Sequence, residues 1–352
     1  MKIATLGNAS VIHTRRWVEH FRRRGHDVRA WSLEPPPPDF ACERLPRAPL
    51  PGALRYPLAA PALRAALARF RPDVVDAHYV PNYGVLGVLA GARPLSITAW
   101  GSDLLLNPRA GFQRWRARAV LARAALVLAD GGNLAAAARA LGAAPERVHS
   151  IPWGIELERF ETLPAREPGL LFGARMHEPV YGIPALIHGA GPVLARHPHA
   201  RLVLAGDGAL RPELERLAAE ILPAGRWAFV GMQTPAALAE WLGRADLYLS
   251  GSYSDSTSVT LLEAMAAGAI PVVSDIEGNR EWLADGDGAR LFTPGDAASA
   301  TRALEAALGD AAWAAEARRR NRRVIEERGV WSTNMRRIEA LFEALARGGA
   351  GA

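Results

Sequence analysis

The feature that most constrains this chain is a rhythm, in which short apolar or β-branched runs alternate with longer Ala/Leu/Arg stretches along its whole length. Such runs stand near residues 2 to 6, 27 to 33, 73 to 78, 95 to 100, 125 to 129 and 147 to 151, and again near 170 to 174, 201 to 205, 227 to 230, 246 to 250, 270 to 274 and 289 to 292. Parallel strands need a crossover of helix length between them, so the pattern predicts βα units. Two similar sets predict an α/β chain of two doubly wound, Rossmann-like domains, in keeping with 352 residues being too many for one ordinary core. Proline and charge concentrate in PWGIELERFETLPAREPG, which suits an exposed linker. The expected division is a first domain over 1–155, a linker over 156–168, a second domain over 169–330 and a final helix over 331–352 that returns to the first domain.

Composition narrows the class. The hydrophobic and charged fractions, 49% and 22%, are those of a globular protein, and no run of 18 apolar residues exists. The first residues, MKIATLGNASVIHTRR, read as a strand and loop, unlike a secretory signal, and Cys42 is the only cysteine, so the expectation is a cytoplasmic protein. A net charge of +6 invites an anionic partner, yet Lys2 is the only lysine, so the basicity is as much a compositional habit as a demand, and no nucleic-acid partner is expected. Residues 111 to 124, GFQRWRARAVLARA, put Phe112, Trp115 and several arginines on an amphipathic helix. It reads either as a solvated helix with an apolar inner face or as a peripheral contact with an anionic membrane at its inner face. The proline-rich stretch 34 to 52 predicts an extended surface loop that borders an acceptor site.

The most informative segment is YSDSTSVTLLEAMAAGAIPVVSD, residues 253 to 275. A strand runs into a Ser/Thr-rich loop, then a helix from about Val259, then a second buried strand. Free amides at such a helix start, with the helix dipole, form an anion site suited to a diphosphate. Ser256, Thr257, Ser258, Val259, Thr260 and Leu261 make up that turn. Glu263 lies about one turn inside, placed to meet ribose hydroxyls, and Asp255 lies in the loop, placed to meet hydroxyls of a sugar. Each has a plainer alternative: Glu263 completing a capping box with Thr260, and Asp255 making a loop turn.

These residues resemble glycosyltransferase family 4, a family of retaining enzymes of the two-domain GT-B fold. LLEAMAAGAIPVVSD is similar to the family's second glutamate, its helix and the strand that follows, and Asp255 occupies the place of the first glutamate in its Glu-x7-Glu pair. FGARMHEPVYGIPALIHGAGPVLARHPHARLVLAGDG is similar to the opening of the second domain, with Arg175 at the arginine expected on the donor β-phosphate and Tyr181 where lysine usually stands. The resemblance sets Gly206, Asp207 and Gly208 at the turn over which the base sits, and it also implies a donor contact at Met232. In the first domain, LGNASVIHTRRWVEHFRRRGHDVRAWS resembles the family's glycine loop and first helix, so Gly7 and Asn8 are expected near the diphosphate across a cleft. His78, Trp100, Gly101 and Asp103 at strand ends, with Arg15, are assigned to the acceptor or sugar side; relatives often carry histidine at the Trp100 position. His78 also reads as an ordinary buried histidine.

The resemblance implies a retaining, metal-independent transfer from a nucleotide diphosphate sugar to an unidentified hydroxyl, with Asp255, Arg175 and Glu263 at its centre and no cofactor. Two rivals stay open, a nucleotide-sugar epimerase or hydrolase on the same fold and a degenerate nucleotide-sugar binder. His197 and His199 flank a proline, and Asp285 and Asp287 sit in a turn-like ADGDGA, so neither pair predicts a metal site.

Overall fold

The computed structural model describes residues 1–47, 55–106 and 111–349. It resolves into two compact units, Met1–Ile151 with Met335–Ala352, and Pro152–Asn334.

The first unit carries a parallel sheet of seven strands: β1 Lys2–Leu6, β2 Asp27–Ser32, β3 Glu43–Arg44, β4 Val74–His78, β5 Leu95–Thr98, β6 Leu126–Ala129 and β7 Val148–Ser150. Their spatial order is β3-β2-β1-β4-β5-β6-β7. The reversal beside β1 is the switch point at which open α/β sheets bind ligands. The helices are α1 Ile12–Arg23, α2 Arg55–Phe70, α3 Val85–Ala90, α4 Ser102–Leu105, α5 Gly111–Leu121 and α6 Gly132–Ala140. Every residue of β4, β5 and β6 is buried, the unbroken apolar reading that a sheet covered on both faces demands. The short β3 lies inside the proline-rich stretch read as loop; it pairs with the edge of β2, where Trp31 Nε1 donates to Glu43 Oε2 at 3.0 Å. Residues 48–52 of that stretch lie outside the described residues.

The second unit repeats the plan with β8 Leu170–Ala174, β9 Arg201–Ala205, β10 Trp227–Gly231, β11 Leu247–Ser250, β12 Ile270–Ser274, β13 Ala284–Asp285 and β14 Gly288–Phe292, in the order β10-β9-β8-β11-β12-β14-β13. Its helices are α7 Ile183–Arg196, α8 Arg211–Ile221, α9 Pro235–Arg244, α10 Val259–Ala267, α11 Glu277–Arg280, α12 Ala297–Leu308 and α13 Ala311–Arg328. Strand alternation splits the core into two layers. Leu171, Leu202, Leu247 and Leu249 face one set of helices, while Leu170, Phe172, Val203 and Tyr248 face the other.

A last helix, α14 Trp331–Gly349, packs against the first unit. Met335, Ile338 and Phe342 fall on one helical stripe and are fully buried, with Phe342 stacked on Phe21 of α1 at 5.4 Å. Glu339 on the same face accepts from Arg24 Nε at 3.1 Å and pairs with His26 Nε2 at 2.7 Å. Among the described residues no helix is long and apolar enough to cross a membrane.

Candidate functional site

In the second unit, the carboxyl ends of β8, β9 and β11 converge on the loop that starts α10. Three close backbone approaches bring them together. Gly182 and Gly251 touch, since a Cβ on Gly182 would stand 2.2 Å from Gly251 O. Gly206, at φ 117°, lies so near the loop after β8 that a Cβ would stand 2.0 Å from Arg175 O. Only glycine satisfies both the space and the φ there. Gly278 of α11 presses on the loop itself, its would-be Cβ 2.2 Å from Ser256 O and 2.6 Å from Asp255 O.

Arg175 reaches from the end of β8 to the start of α10. Its Nη1 donates to Ser258 Oγ at 2.8 Å and its Nη2 to Ser252 Oγ at 3.2 Å, and Nη2 also makes a close ion pair with Asp255 Oδ2. Tyr181, in the turn before α7, lays its ring 4.5 Å from the Arg175 guanidinium carbon, so the residue standing in place of a lysine covers the arginine's face. Burial alone would depress the Arg175 pKa, but the Asp255 carboxylate, with Tyr248 and Tyr181, outweighs it and leaves the pKa above arginine's ordinary value. Arg175 is therefore a fixed cation at every working pH.

Ser258 is the N-cap of α10, its Oγ accepting from Leu261 N at 3.3 Å. The amides of Val259 and Thr260 have no intrahelical acceptor, which leaves donors at the positive end of the helix dipole beside Arg175. With Ser258 as the cap, Glu263 lies two positions beyond a capping-box glutamate, so the Thr260 capping box does not form. Glu263 is instead buried, its side chain 7% exposed, and Arg159 Nη1 stands 3.6 Å from its Oε1. Arg159 comes from the 3₁₀ turn Leu157–Phe160 and also pairs with Glu156 at 2.9 Å. It was not singled out in the sequence, where nothing local connects a linker arginine to α10. Asp255 does make a local turn, accepting Ser256 N on Oδ1 at 3.0 Å, and holds Arg175 with its other oxygen.

The turn Gly206-Asp207-Gly208 follows β9 and grips the loop after β8: His177 N donates to Asp207 O at 2.9 Å and Leu210 N to His177 O at 3.0 Å. His177 is fully buried, edge-on to Phe229, and burial followed by Arg211 lowers its pKa. Met232, just past β10, is 65% exposed.

In the first unit, Gly7 and Asn8 form the loop between β1 and α1. A Cβ on Gly7 would stand 3.0 Å from Thr14 Cγ2, and Asn8 Oδ1 accepts from Ser10 N at 2.9 Å. His78 ends β4 buried, its Nε2 2.9 Å from Asp76 Oδ2, while Thr98 Oγ1 donates to the other oxygen of Asp76 at 2.8 Å. The imidazole packs edge-on against Trp17 and Trp100, and its Nδ1 is buried without a hydrogen-bond partner among the described residues. Gly101, at φ 106°, turns the chain into α4. Asp103 spends both oxygens on backbone, accepting from Val80 N and Trp100 N at 3.0 Å each, while burial raises its pKa to about 6. Arg15 donates to Asp39 at 2.7 Å within the proline-rich loop.

Three members of the remaining histidine and aspartate pairs have other partners. His197 Nε2 lies 2.8 Å from Glu305, Asp285 accepts from Leu291 N at 2.9 Å, and Asp287 pairs with Arg320 at 2.6 Å. Among the described residues no group of three or more His, Cys, Asp or Glu side chains is arranged to hold a metal ion.

Comparison with known proteins agrees with this geometry. A family described as Glycosyltransferase Family 4 matches residues 10–159, and one described as Glycosyl transferases group 1 matches residues 167–310. The chain is glycosyltransferase family 4-like, with a GT-B fold. Sucrose-phosphate synthase from Thermosynechococcus elongatus superposes with a TM-score of 0.86 at 20% identity, covering 99% of this chain and 100% of that one. Anabaena HepE in complex with UDP gives 0.82 at 17%, covering 98% and 100%. In sequence, the phosphatidyl-myo-inositol mannosyltransferase of Mycolicibacterium smegmatis is 30% identical over 210 residues, which is 56% of this chain and 52% of the relative. The D-inositol 3-phosphate glycosyltransferase 2 of Catenulispora acidiphila is 32% identical over 189 residues, 47% and 44%. The chain thus spans about half the length of the curated relatives it matches.

Proposed function

We propose that this protein is a retaining glycosyltransferase that moves a sugar from a nucleotide diphosphate donor to a hydroxyl acceptor without a metal ion. The observation that carries the reading is the union of Arg175, the α10 N-terminus capped by Ser258, and Glu263 inside that helix. As the glycosidic bond to the donor breaks, charge builds on the β-phosphate. Arg175 and the first-turn amides of α10 stabilise that charge and are already in place before the reaction begins. Glu263 receives the ribose hydroxyls, and the Gly206–Gly208 turn lies under the base. Attack by the acceptor from the face the leaving group departs gives retention, with the departing phosphate taking the acceptor's proton, so no enzymic nucleophile is needed.

The finer partner assignment is to a lipid surface. On α5, Phe112 and Trp115 are 69% and 62% exposed and stacked on each other at 5.6 Å. Arg114 and Arg118 are exposed beside them, and among the described residues none of the ion pairs includes either. Exposed aromatics flanked by unpaired arginines support peripheral contact with anionic lipid. Co-sedimentation with phosphatidylglycerol vesicles should fall sharply in Phe112→Ser/Trp115→Ser, and equal binding by that variant would refute the contact.

The central test is a panel of UDP-, GDP- and ADP-sugars, scored first by calorimetry and then by release of nucleoside diphosphate with hydroxyl acceptors. Binding of one donor followed by acceptor-dependent turnover is expected. Nucleoside diphosphate release that ignores the acceptor would mark a hydrolase, interconversion of the nucleotide sugar without net release an epimerase, and binding without turnover a sensor.

A further inference from the structure

Arg175 is the cation at the start of α10, and in this structure it already has an anion. Its Nη2 holds Asp255 Oδ2, its Nη1 holds Ser258 Oγ at 2.8 Å, and the Tyr181 ring closes its face. The other oxygen of Asp255 is fixed too, by Ser256 N at 3.0 Å. A resident carboxylate thus takes one Nη2 hydrogen bond and neutralises the charge that a phosphate would require, while Nε of the same guanidinium has no hydrogen-bond partner among the described residues. Two anions cannot share one Nη2 donor without standing a few ångströms apart, where like charges repel strongly in a buried site.

The main chain under Asp255 cannot move toward α11, because Gly278 already packs against both Asp255 O and Ser256 O. Rotation of the aspartate side chain relieves the conflict without moving that backbone. The charge count sharpens the point. With Tyr181 in place of a second cation, the Arg175–Asp255 pair is neutral, and only the α10 dipole favours an anion until Asp255 leaves.

Resting on the nucleotide-sugar reading above, we propose that Asp255 is an internal counter-ion of Arg175. It is displaced when the diphosphate of the donor binds, is free to receive sugar hydroxyls while the donor is whole, and returns to Arg175 once the sugar has gone. Its return competes with the β-phosphate of the nucleoside diphosphate product and speeds its release. The shorter side chain at 255 is then a determinant of product affinity as well as a sugar contact.

The inference predicts a gain of affinity where loss of a useful contact would give none. Wild type and Asp255→Asn are titrated calorimetrically with UDP, GDP and ADP and with the matching monophosphates, and dissociation is followed by stopped flow. The diphosphate that binds should bind Asp255→Asn about tenfold tighter, the value of one charge-assisted hydrogen bond, and dissociate correspondingly more slowly. Its monophosphate should change little. Thermal melting checks the fold, and Asp255→Ser, which also removes the charge, should repeat the gain. Equal or weaker diphosphate binding by both folded variants overturns the inference, as does an equal gain for the monophosphate. Failure of all three diphosphates to bind wild type and variants alike overturns the nucleotide-sugar reading itself, and the inference with it.

Discussion

Removal of Arg159 tests whether the linker arginine sets the Glu263 carboxylate. Arg159 Nη1 stands 3.6 Å from Glu263 Oε1, with the two side chains 25% and 7% exposed. At an effective dielectric near 20, Coulomb attraction at that distance has an upper bound of about 4–5 kcal/mol. The partial exposure of Arg159 and its second partner Glu156 reduce this, so Arg159→Ala should cost about 2 kcal/mol. For a unit of this size that is a Tm drop of about 4–8 °C.

The stability loss alone would not distinguish a site from a scaffold. The discriminating quantity is nucleoside diphosphate affinity, measured by calorimetry well below Tm. Without Arg159 the Glu263 carboxylate loses its fixed orientation and a share of its charge stabilisation. Affinity should therefore fall about tenfold, the equivalent of roughly 1.4 kcal/mol. Glu263→Gln should lose about as much, and the double variant Arg159→Ala/Glu263→Gln little more than either alone, because both act through one contact. Additive losses in the cycle, or a folded Arg159→Ala with normal nucleotide affinity, would refute the reasoning.

Three further outcomes follow from the geometry. Gly278→Ala drives a Cβ into Ser256 O and Asp255 O, so it should cost about 1–3 kcal/mol and weaken nucleotide diphosphate binding; unchanged affinity would show that the loop tolerates the displacement. Transfer should proceed at an unchanged rate in EDTA, because Arg175 and the α10 amides supply the positive charge, and a collapse reversed by magnesium or manganese would contradict this. Burial, with nearby arginines, lowers His13 and His20 from 6.5 to about 4, so the unfolded chain binds more protons than the folded one between those values and stability should decline as pH falls through that window. Tm measured from pH 7 to 4 should show a shallower decline in His13→Gln/His20→Gln, and the same slope in both proteins would exclude these histidines as the cause.

The fold was legible because it is written in local pattern. Each long strand is an apolar run whose length and flanks identify it, and burial of β8 on both faces suits its central place between β9 and β11. What escaped were two-residue strands. Neither β3 nor β13 has enough sequence to show a period, and β3 exists because the edge of β2 offers it partners, Trp31 holding Glu43. Proline content correctly excluded a central strand from residues 34–47 and could not exclude an edge one.

The site divides along the same line. The helix start at Val259 and the carboxylate inside it are encoded by neighbours in sequence, and they stand where the pattern put them. The pairings that decide what those groups do are long-range. Nothing near Glu263 in sequence announces Arg159, and nothing near Asp255 announces that Gly278 pins the backbone beneath it. The two departures in the loop region, Tyr181 for a lysine and Asp255 for a glutamate, look independent on paper. In space they meet on one guanidinium, Tyr181 on its face and Asp255 at its edge. On the reading proposed above, Arg175 is the charge that a diphosphate must win, and the Asp255 carboxylate is the group that contests it. The two residues thus contact one cation, so the charge at 255, more than its reach, is the property that the Asp255→Asn titration isolates.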